Sequence, residues 1–294
     1  MQIKIKEEHY IPVGMLIMLF VTMASVVSDS LYKWNRVEYL TPIPYIMFAR
    51  YSGVVFLAIL WQLYKRRKLS SLMQTQKLRW HLLRSSVIVF STILGILALQ
   101  YTPVSVYTAT LQFTPIFIII LLQFSPEERL TKLQWLVVLL GFAGVLIVLR
   151  PTAEGFDKKW LLSLIVIIFW GTFQALTRYL SKTERKSTLM IYSTIIGLVI
   201  SIFWIFRVGE PVETKEFYGL SGIMISSIFC YGGLILAYSF APAKYVAPIA
   251  WLQVLWALAI DYLIFHHRPD AFVFIGAALI IGSGYFMFRQ NKTN

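Results

Sequence analysis

The sequence predicts an all-α membrane protein with ten transmembrane helices, arranged as two inverted five-helix repeats with both termini in the cytoplasm. Three observations support this fold class: the composition, the spacing of apolar runs, and a likeness between the two halves. Of the 294 residues, 58% are hydrophobic and 14% are charged, whereas soluble domains carry about 25% charged residues. Lipid is the solvent that suits such a surface. The net charge of +13 comes from basic residues between apolar runs, which favours contact with anionic lipid and excludes nucleic acid as a partner.

Ten apolar runs approach the roughly 20 residues that a helix needs to cross a bilayer. The first run is longer than the roughly 7–15 apolar residues of a signal peptide, so we expect it to be a spanning helix. Pro103 and Pro242 separate two pairs of runs, because proline ends one helix and opens the next. The predicted spans are residues 11–32, 43–64, 82–101, 104–124, 132–150, 159–180, 188–206, 217–239, 243–265 and 271–288.

The distribution of Lys and Arg orients these spans. With the N-terminus inside, 18 basic residues fall in inner segments, 8 fall in outer segments, and Arg50 lies within a span. Cytoplasmic loops carry the excess of positive charge in membrane proteins. Both termini are therefore predicted to be cytoplasmic, and the protein to be a multi-pass protein of the inner membrane.

The two halves of the chain resemble each other. When residues 101–151 are shifted by 139 positions onto residues 240–290, Pro103 meets Pro242 and Arg129 meets Arg268. We therefore divide the chain into repeats at 1–151 and 152–294. Five spans per repeat is an odd number, so the second repeat enters the membrane with opposite polarity. Inverted repeats are typical of alternating-access carriers, whose substrate site lies between the repeats near the membrane midplane.

Charged residues within the spans are candidates for substrate contacts, since burying charge in a membrane is costly. Arg50 lies in the second span, and Asp29 and Lys33 share one face of the first. Gln174 and Arg178 repeat that spacing in the second half. The alternatives are that Arg50 ties neighbouring helices together and that Asp29 pairs with Lys33 at the outer end of the helix.

Polar and aromatic residues of three other spans complete the predicted site. Thr108 and Gln112 fall on one helix face, and Pro115 frees a backbone carbonyl that a cavity could accommodate. Hydrogen bonding between helices is the alternative role for such residues. The predicted substrate contacts are Asp29, Arg50, Tyr107, Thr108, Gln112, Gln174, Tyr231, Trp251 and Gln253.

The sequence contains no motif of an enzyme. No Walker loop, HExxH or GxSxG is present, and the four histidines do not form a metal-ligand pattern. We expect no catalytic activity, no cofactor and no metal.

Asp261, near His266 and His267, is expected to be an interfacial acid rather than a proton-coupling group. The single cysteine, Cys230, cannot form an intramolecular disulfide and is expected to serve packing. Five glycines are expected to permit close helix packing: Gly141, Gly144, Gly276, Gly282 and Gly284.

The chain resembles the drug/metabolite transporter superfamily, in particular its ten-helix EamA-type members. The resemblance covers nearly the whole chain and implies a secondary transporter that moves a small molecule across the bilayer. It is carried by Phe48-Ala49-Arg50, Glu128-Arg129-Leu130-Thr131, Gly141-Phe142-Ala143-Gly144-Val145, Arg150-Pro151, Ala241-Pro242, Ala247-Pro248, Arg268-Pro269-Asp270 and Gly276.

Within this superfamily, the Asp29-x-x-x-Lys33 motif, Arg50 and Arg84 are most similar to S-adenosylmethionine uptake transporters. That similarity implies import of S-adenosylmethionine, or its exchange for S-adenosylhomocysteine. In those transporters acidic residues occupy the positions of Gln174 and Gln253, which keeps riboflavin importers and amino-acid exporters as alternatives. A membrane-embedded enzyme and a non-transporting scaffold are alternatives from other classes. Direction, coupling ion and oligomeric state stay open.

Overall fold

A computed structural model describes residues 10–101, 107, 110–149, 160–209, 212–256 and 271–290. Within these ranges the regular structure is entirely helical. Each of the ten predicted spans contains helix. The helices are α1 Ile11–Lys33, α2 Ile43–Tyr64, α3 Leu78–Tyr101, α4 Thr114–Leu122, α5 Lys132–Leu149, α6 Trp160–Ser181, α7 Lys186–Val208, α8 Thr214–Phe240, α9 beginning with Ala243–Val246, and α10 Ala271–Gln290.

Six of the helices in the described ranges are long and apolar enough to cross a membrane: α1, α2, α3, α6, α7 and α8. Shorter apolar stretches of α5 and α10 accompany them. Large aromatic side chains such as Phe20, Phe206 and Phe274 are exposed on the outside of the bundle. An outward-facing apolar surface of this kind is stable in lipid, so the protein is a multi-pass membrane protein.

Local sequence signals explain where several helices begin and end. Proline occupies the first turn of α1, α2 and α4, where its missing N–H removes no helical hydrogen bond. Glu213 and Glu216 form a capping box at the start of α8. Gly209 ends α7 with φ of 66°, a left-handed conformation that glycine adopts without a steric cost.

Four helices in the described ranges depart from regular α-helix. The first, α1, continues into the π-helical segment Trp34–Glu38. A turn at Gln112 and Phe113 interrupts the helix before α4. In α9 the 3-10 segment Ala247–Trp251, which contains Pro248, follows the first helical turn. The five-residue π-helical segment Ile228–Gly232 lies inside α8. The prolines account for the irregular backbone beside them because proline cannot donate a helical hydrogen bond.

The main packing pairs keep their pattern when helices α1–α5 are exchanged with α6–α10. Three pairs join equivalent helices, namely α2 with α7, α4 with α9, and α5 with α10. The remaining pairs come in matched sets: α1 packs on α8 as α6 packs on α3, and α1 packs on α9 as α6 packs on α4. This arrangement places α1, α3, α6 and α8 around the centre of the bundle.

Small residues permit the closest of these contacts. A Cβ atom on Gly144 would lie 2.8 Å from the backbone oxygen of Gly276, so glycine allows α5 to approach α10 closely. The expectations for Gly141 and Gly144 are confirmed, since Trp251 and Ser283 pack against Gly141. The expectation for Gly282 is wrong, because a Cβ there would meet open space. Gly284 is outside the side chains that the structure describes.

Polar contacts made by the connecting segments identify the two ends of the bundle. At the first, which we call the 65–77 end, Thr75 donates to Glu184 and Lys182 contacts Glu127. At the second, the 34–42 end, Thr41 donates to Glu216 and Arg36 lies against Gln100.

Candidate functional site

A polar cavity lies between α1, α2, α3, α6, α8, α9 and the segment that precedes α4. Its volume is about 70 Å³, whereas ligand sites usually measure about 300–1,000 Å³. It is closer to the 34–42 end, because the contributing residues of α1 and α3 fall in the C-terminal halves of those helices. Five predicted site residues line it: Asp29, Arg50, Tyr107, Tyr231 and Gln253.

Two tyrosines hold Arg50 in place. Its Nε donates to the Tyr231 hydroxyl at 2.5 Å. Its guanidinium carbon lies 5.0 Å from the Tyr231 ring centroid and 5.1 Å from that of Tyr32, within cation–π range. Among the described residues, none accepts a hydrogen bond from the two terminal Nη atoms. The guanidinium is therefore oriented, and its outer edge is available to an anionic group.

Asp29 supplies a carboxyl group to the same cavity. Its Oδ2 accepts a 3.5 Å hydrogen bond from Gln253. Within the ranges that the structure describes, no Lys or Arg nitrogen lies within the 4.0 Å of an ion pair with this carboxylate. Asp29 therefore pairs neither with Lys33 nor with Arg50. The cavity presents one carboxylate and one guanidinium that are not joined to each other.

Aromatic rings form the side of the cavity that faces the 65–77 end. Trp170 and Tyr231 line the cavity, with their ring centroids 6.3 Å apart. Behind them lies Phe173, whose centroid is 5.4 Å from Trp170 and 5.9 Å from Tyr231. We call Trp170, Phe173 and Tyr231 the aromatic layer. Tyr231 belongs to the π-helical segment of α8, and such segments occur frequently at functional sites.

Several lining residues were not among the sequence-predicted contacts. Ser25 and Tyr32 lie one turn before and after Asp29, so the helical period of α1 could have identified both. No comparable signal marked the residues of α3 and α6. Cys230, for which the sequence indicated packing, also lies in the cavity lining, with its sulfur 3.6 Å from the Ser25 hydroxyl. The additional lining polar and aromatic residues are Ser25, Ser28, Tyr32, Ser91, Thr92, Trp170 and Cys230.

Three predicted contacts lie outside the cavity lining. Trp251 is fully buried and donates from Nε1 to the backbone oxygen of Gln112 at 2.9 Å. The Gln112 side chain is also buried, and its Nε2 has no partner among the described residues. Gln174 accepts a 2.9 Å hydrogen bond from Tyr238. Thr108, like Asp261, His266 and His267, lies outside the described residues.

A cluster of ion pairs lies at the 65–77 end. Arg178 Nε is 2.6 Å from Glu128 Oε1, and both side chains are nearly inaccessible to solvent. Glu128 also accepts from the backbone N–H of Lys244. Lys182 Nζ is 2.7 Å from Glu127, and this hydrogen bond lowers the pKa of that exposed carboxyl. We call these residues the ion cluster. It joins the α4–α5 connection, α6 and the start of α9.

A second cavity of about 400 Å³ lies at the 34–42 end. It is lined by Glu38, Glu213 and Glu216, together with Tyr39 and Tyr45. Among the residues that the structure describes, its lining has three acidic side chains and no basic one, which makes this cavity favourable for cations. In the described ranges, this cavity included, no three His, Cys, Asp or Glu side chains come together as a metal site.

Comparison with known proteins identifies relatives along the whole chain. A model of the EamA-like transporter family matches residues 11–150 and 158–289. A riboflavin transporter of Vibrio cholerae serotype O1 is 24% identical over 287 residues, which are 95% of this chain and 94% of that protein. An S-adenosylmethionine uptake transporter of Rickettsia bellii is 26% identical over 217 residues, which are 72% of this chain and 73% of that protein.

A second riboflavin transporter and one solved structure also resemble this chain over most of its length. A riboflavin transporter of Rhizobium johnstonii is 26% identical over 281 residues, which are 95% of this chain and 91% of that protein. One solved crystal structure of a protein superposes with a TM-score of 0.75 at 14% sequence identity. That superposition covers 95% of this chain and 99% of the other, and it shows a shared fold.

Proposed function

The chain belongs to the EamA-like transporter family, and we propose that this secondary transporter carries a zwitterionic metabolite with an aromatic group, of which S-adenosylmethionine is the leading candidate. It acts in the inner membrane by alternating access. A transporter of this family is not an enzyme, and lipid and a small molecule are its expected partners.

The observation that carries the proposal is the presence of Asp29 and Arg50 in one cavity without an ion pair between them. An α-amino acid bears an ammonium and a carboxylate on one carbon atom. Arg50 suits the carboxylate because guanidinium and carboxylate form strong, charge-assisted hydrogen bonds. Asp29 suits the ammonium. A zwitterion bound in this way compensates both charges, which a neutral ligand would leave unpaired in a site largely removed from water.

The aromatic layer and the acidic cavity at the 34–42 end suit the purine and the sulfonium of this substrate. Trp170 and Tyr231 offer π-surfaces against which a purine can pack. The acids of the 34–42 end favour approach of a substrate with an additional positive charge, such as a sulfonium. The cavity of about 70 Å³ must widen before such a molecule fits, so we interpret this structure as a contracted state of the carrier.

We further propose that the two five-helix sets are inverted repeats, with both termini and the 65–77 end in the cytoplasm. The packing pairs, which survive exchange of α1–α5 with α6–α10, support this arrangement. Interrupted helices α4 and α9 occupy matching positions and pack on each other. Interrupted helices in matching positions of two repeats are typical of transporter binding sites. In this orientation the ion cluster closes the cytoplasmic end.

Riboflavin is the second candidate, favoured by one specific observation. The riboflavin transporters of Vibrio cholerae and Rhizobium johnstonii match 95% of the chain, and the aromatic layer would accept a flavin ring. Riboflavin carries neither an ammonium nor a carboxylate, so it would give Asp29 and Arg50 no charged partners.

Counterflow in proteoliposomes tests the assignment. Vesicles are preloaded with unlabelled S-adenosylmethionine, S-adenosylhomocysteine, a mixture of amino acids, or riboflavin, and the same set is supplied labelled outside. We expect accumulation of S-adenosylmethionine, and its loss in Asp29→Asn and Arg50→Gln. Uptake of riboflavin alone, unaffected by these two substitutions, would overturn the assignment. Lys33→Gln is the matched control, because Lys33 lies on α1 outside the cavity lining.

A further inference from the structure

Arg84 is a fully buried arginine that the proposed site does not include. It lies on α3, seven residues nearer the 65–77 end than Ser91, the first residue of α3 in the cavity lining. At about 1.5 Å per residue the separation is roughly 10 Å along the helix. Arg84 Nε donates to Thr177 Oγ1 at 2.8 Å and Nη1 donates to the Leu189 backbone oxygen at 3.0 Å. Its side chain is 0% exposed.

The charge of Arg84 is not compensated by an acid. In the ranges that the structure describes, no carboxylate forms an ion pair with it, and its Nη2 has no hydrogen-bond partner. The nearby Glu184 instead lies 3.6 Å from His81 Nε2 and accepts from Thr75. An unpaired buried guanidinium is destabilising, and intramembrane ionisable residues that persist despite this cost are usually functional.

The aromatic layer separates Arg84 from the substrate cavity. The guanidinium carbon lies 4.7 Å from the centroid of Phe173. Phe173 in turn packs on Trp170 and Tyr231, which line the cavity. Arg50 and Arg84 therefore each lie against the aromatic layer, Arg50 on Tyr231 in the cavity and Arg84 on Phe173. Arg84 therefore lies on the side of the aromatic layer that faces the 65–77 end, and the cavity with Arg50 lies on the other side.

We propose that Arg84 is a second anion-binding position, which takes the carboxylate of the transported molecule when the carrier is open toward the 65–77 end. This inference rests on the proposed function, because it requires a substrate with a carboxylate. Arg50 binds that group in the state open to the opposite end, and Arg84 binds it through Nη2 after the aromatic layer parts. Two positions of like charge at different depths keep the carboxylate paired with a cation during most of its passage.

Half-saturating concentrations measured separately at the two membrane faces test this assignment. The probes are S-adenosylmethionine and its decarboxylated form, which differ only in the carboxylate, supplied to oriented vesicles of wild type and Arg84→Gln. At the 65–77 face, we expect wild type to favour the carboxylated probe by about tenfold to a hundredfold, the range for a hydrogen bond to a charged group. We expect Arg84→Gln to favour it by less than about twofold there.

At the opposite face, both proteins should favour the carboxylated probe equally, through Arg50. Arg79→Gln removes an exposed charge from the same end of α3 and should behave as wild type at both faces. Arg84→Lys keeps a charge but loses the planar fork, so its preference should be intermediate, and it serves if Arg84→Gln fails to fold.

Three results would contradict the inference. An undiminished preference at the 65–77 face in active Arg84→Gln and Arg84→Lys would assign Arg84 a structural role while leaving the proposed function intact. An equal loss of the preference for the carboxylated probe at both faces would also assign Arg84 a structural role, because a general distortion of the carrier would affect both faces alike. Failure of wild type to transport either probe would overturn the proposed function together with this inference.

Discussion

At the scale of single residues, the cavity combines a side chain held in place by its neighbours, Arg50, with one that has weaker contacts, Asp29. Arg50 is bound by Tyr231 and contacts two tyrosine rings, whereas the hydrogen bond of Asp29 within the described part of the chain is a long one, 3.5 Å from Gln253. A guanidinium fixed in advance loses little conformational entropy when a ligand binds. Asp29 can adjust to the position of the ligand's cationic group. The pair therefore suits substrates that share an amino-acid head group and differ in the remainder.

Gln253 and Gln112 offer a matched test of the cavity's boundary. Gln253→Ala should raise the half-saturating concentration about threefold to tenfold, since it removes a polar contact worth about 1 kcal/mol. Gln112→Ala should leave transport kinetics unchanged, because the Gln112 side chain is buried outside the cavity lining. Initial uptake rates over a range of substrate concentrations measure both. Equal effects would place the boundary of the site elsewhere.

The hydroxyl of Tyr231 should matter through Arg50. Tyr231→Phe removes the acceptor of the Arg50 Nε hydrogen bond and should raise the half-saturating concentration several-fold. In an Arg50→Lys background it should add little, since residues that act together are not additive. Tyr238→Phe on the same helix is the control, because Tyr238 bonds Gln174 outside the cavity lining. A full additional effect in the Arg50→Lys background would disprove this link.

At this scale both charged residues of the predicted site, Asp29 and Arg50, lie in the cavity lining, whereas some of its neutral residues do not. The sequence singled out Asp29 and Arg50 because ionisable residues are rare within spans and costly there. Their contact with substrate stays a prediction. Gln112 and Trp251 could not be placed, because a glutamine in a span can serve either a ligand or a neighbouring helix. Which of these applies depends on the rotation of each helix in the bundle, and residue spacing within one helix does not define that rotation.

At the scale of helices, irregular backbone segments position several polar groups in or beside the cavity. The π-helical segment of α8 carries Cys230 and Tyr231 into the cavity lining. The interruption before α4 leaves the Gln112 carbonyl without a helical partner, and the Trp251 indole satisfies it. Proline signalled the irregular backbone of α4 and α9 in the sequence. The π-helical segment had no such signal, since an extra residue in a helical turn leaves no trace in composition.

The bond between Trp251 and Gln112 should stabilise the contact between α4 and α9. Trp251→Phe leaves a buried carbonyl unpaired and should lower the free energy of unfolding by about 1–3 kcal/mol. Trp256→Phe, which removes a 3.0 Å bond to the Thr22 hydroxyl at a partly exposed position, should cost less. Thermal unfolding in detergent compares the two variants. A larger loss for Trp256→Phe would contradict this assignment of the α4–α9 contact.

At the scale of the whole molecule, the two ends of the bundle differ in how their charged groups are arranged. At the 65–77 end the ion cluster joins the α4–α5 connection, the end of α6 and the start of α9. The 34–42 end holds an acidic cavity instead. Positive-charge counting predicts that the 65–77 end faces the cytoplasm, and this stays a prediction. The likeness of the halves agrees with packing pairs that survive exchange of α1–α5 with α6–α10. Neither could predict the ion cluster, because its members come from segments far apart in sequence.

The buried ion pair should control opening of the 65–77 end. Glu128→Gln leaves Arg178 without its buried counter-charge, so protection of the α6 amides near Ser181 against hydrogen exchange should fall about tenfold or more. Glu127→Gln should change protection little, because exposed ion pairs contribute little. The lowered pKa of Glu127 means that its contribution persists above the ordinary carboxyl pKa and is lost as pH falls through the lowered value. Equal protection in both variants would exclude Glu128–Arg178 as the closing contact.

The position of Cys230 makes the native chain its own reporter of conformation. It is the single cysteine of the sequence, and it lies in the cavity lining. A thiol reagent that cannot cross lipid will therefore react with one atom, and only while the cavity is open to the face on which the reagent was added. Labelling rates from the two faces would give the balance between the carrier's two orientations directly, without a cysteine-free background.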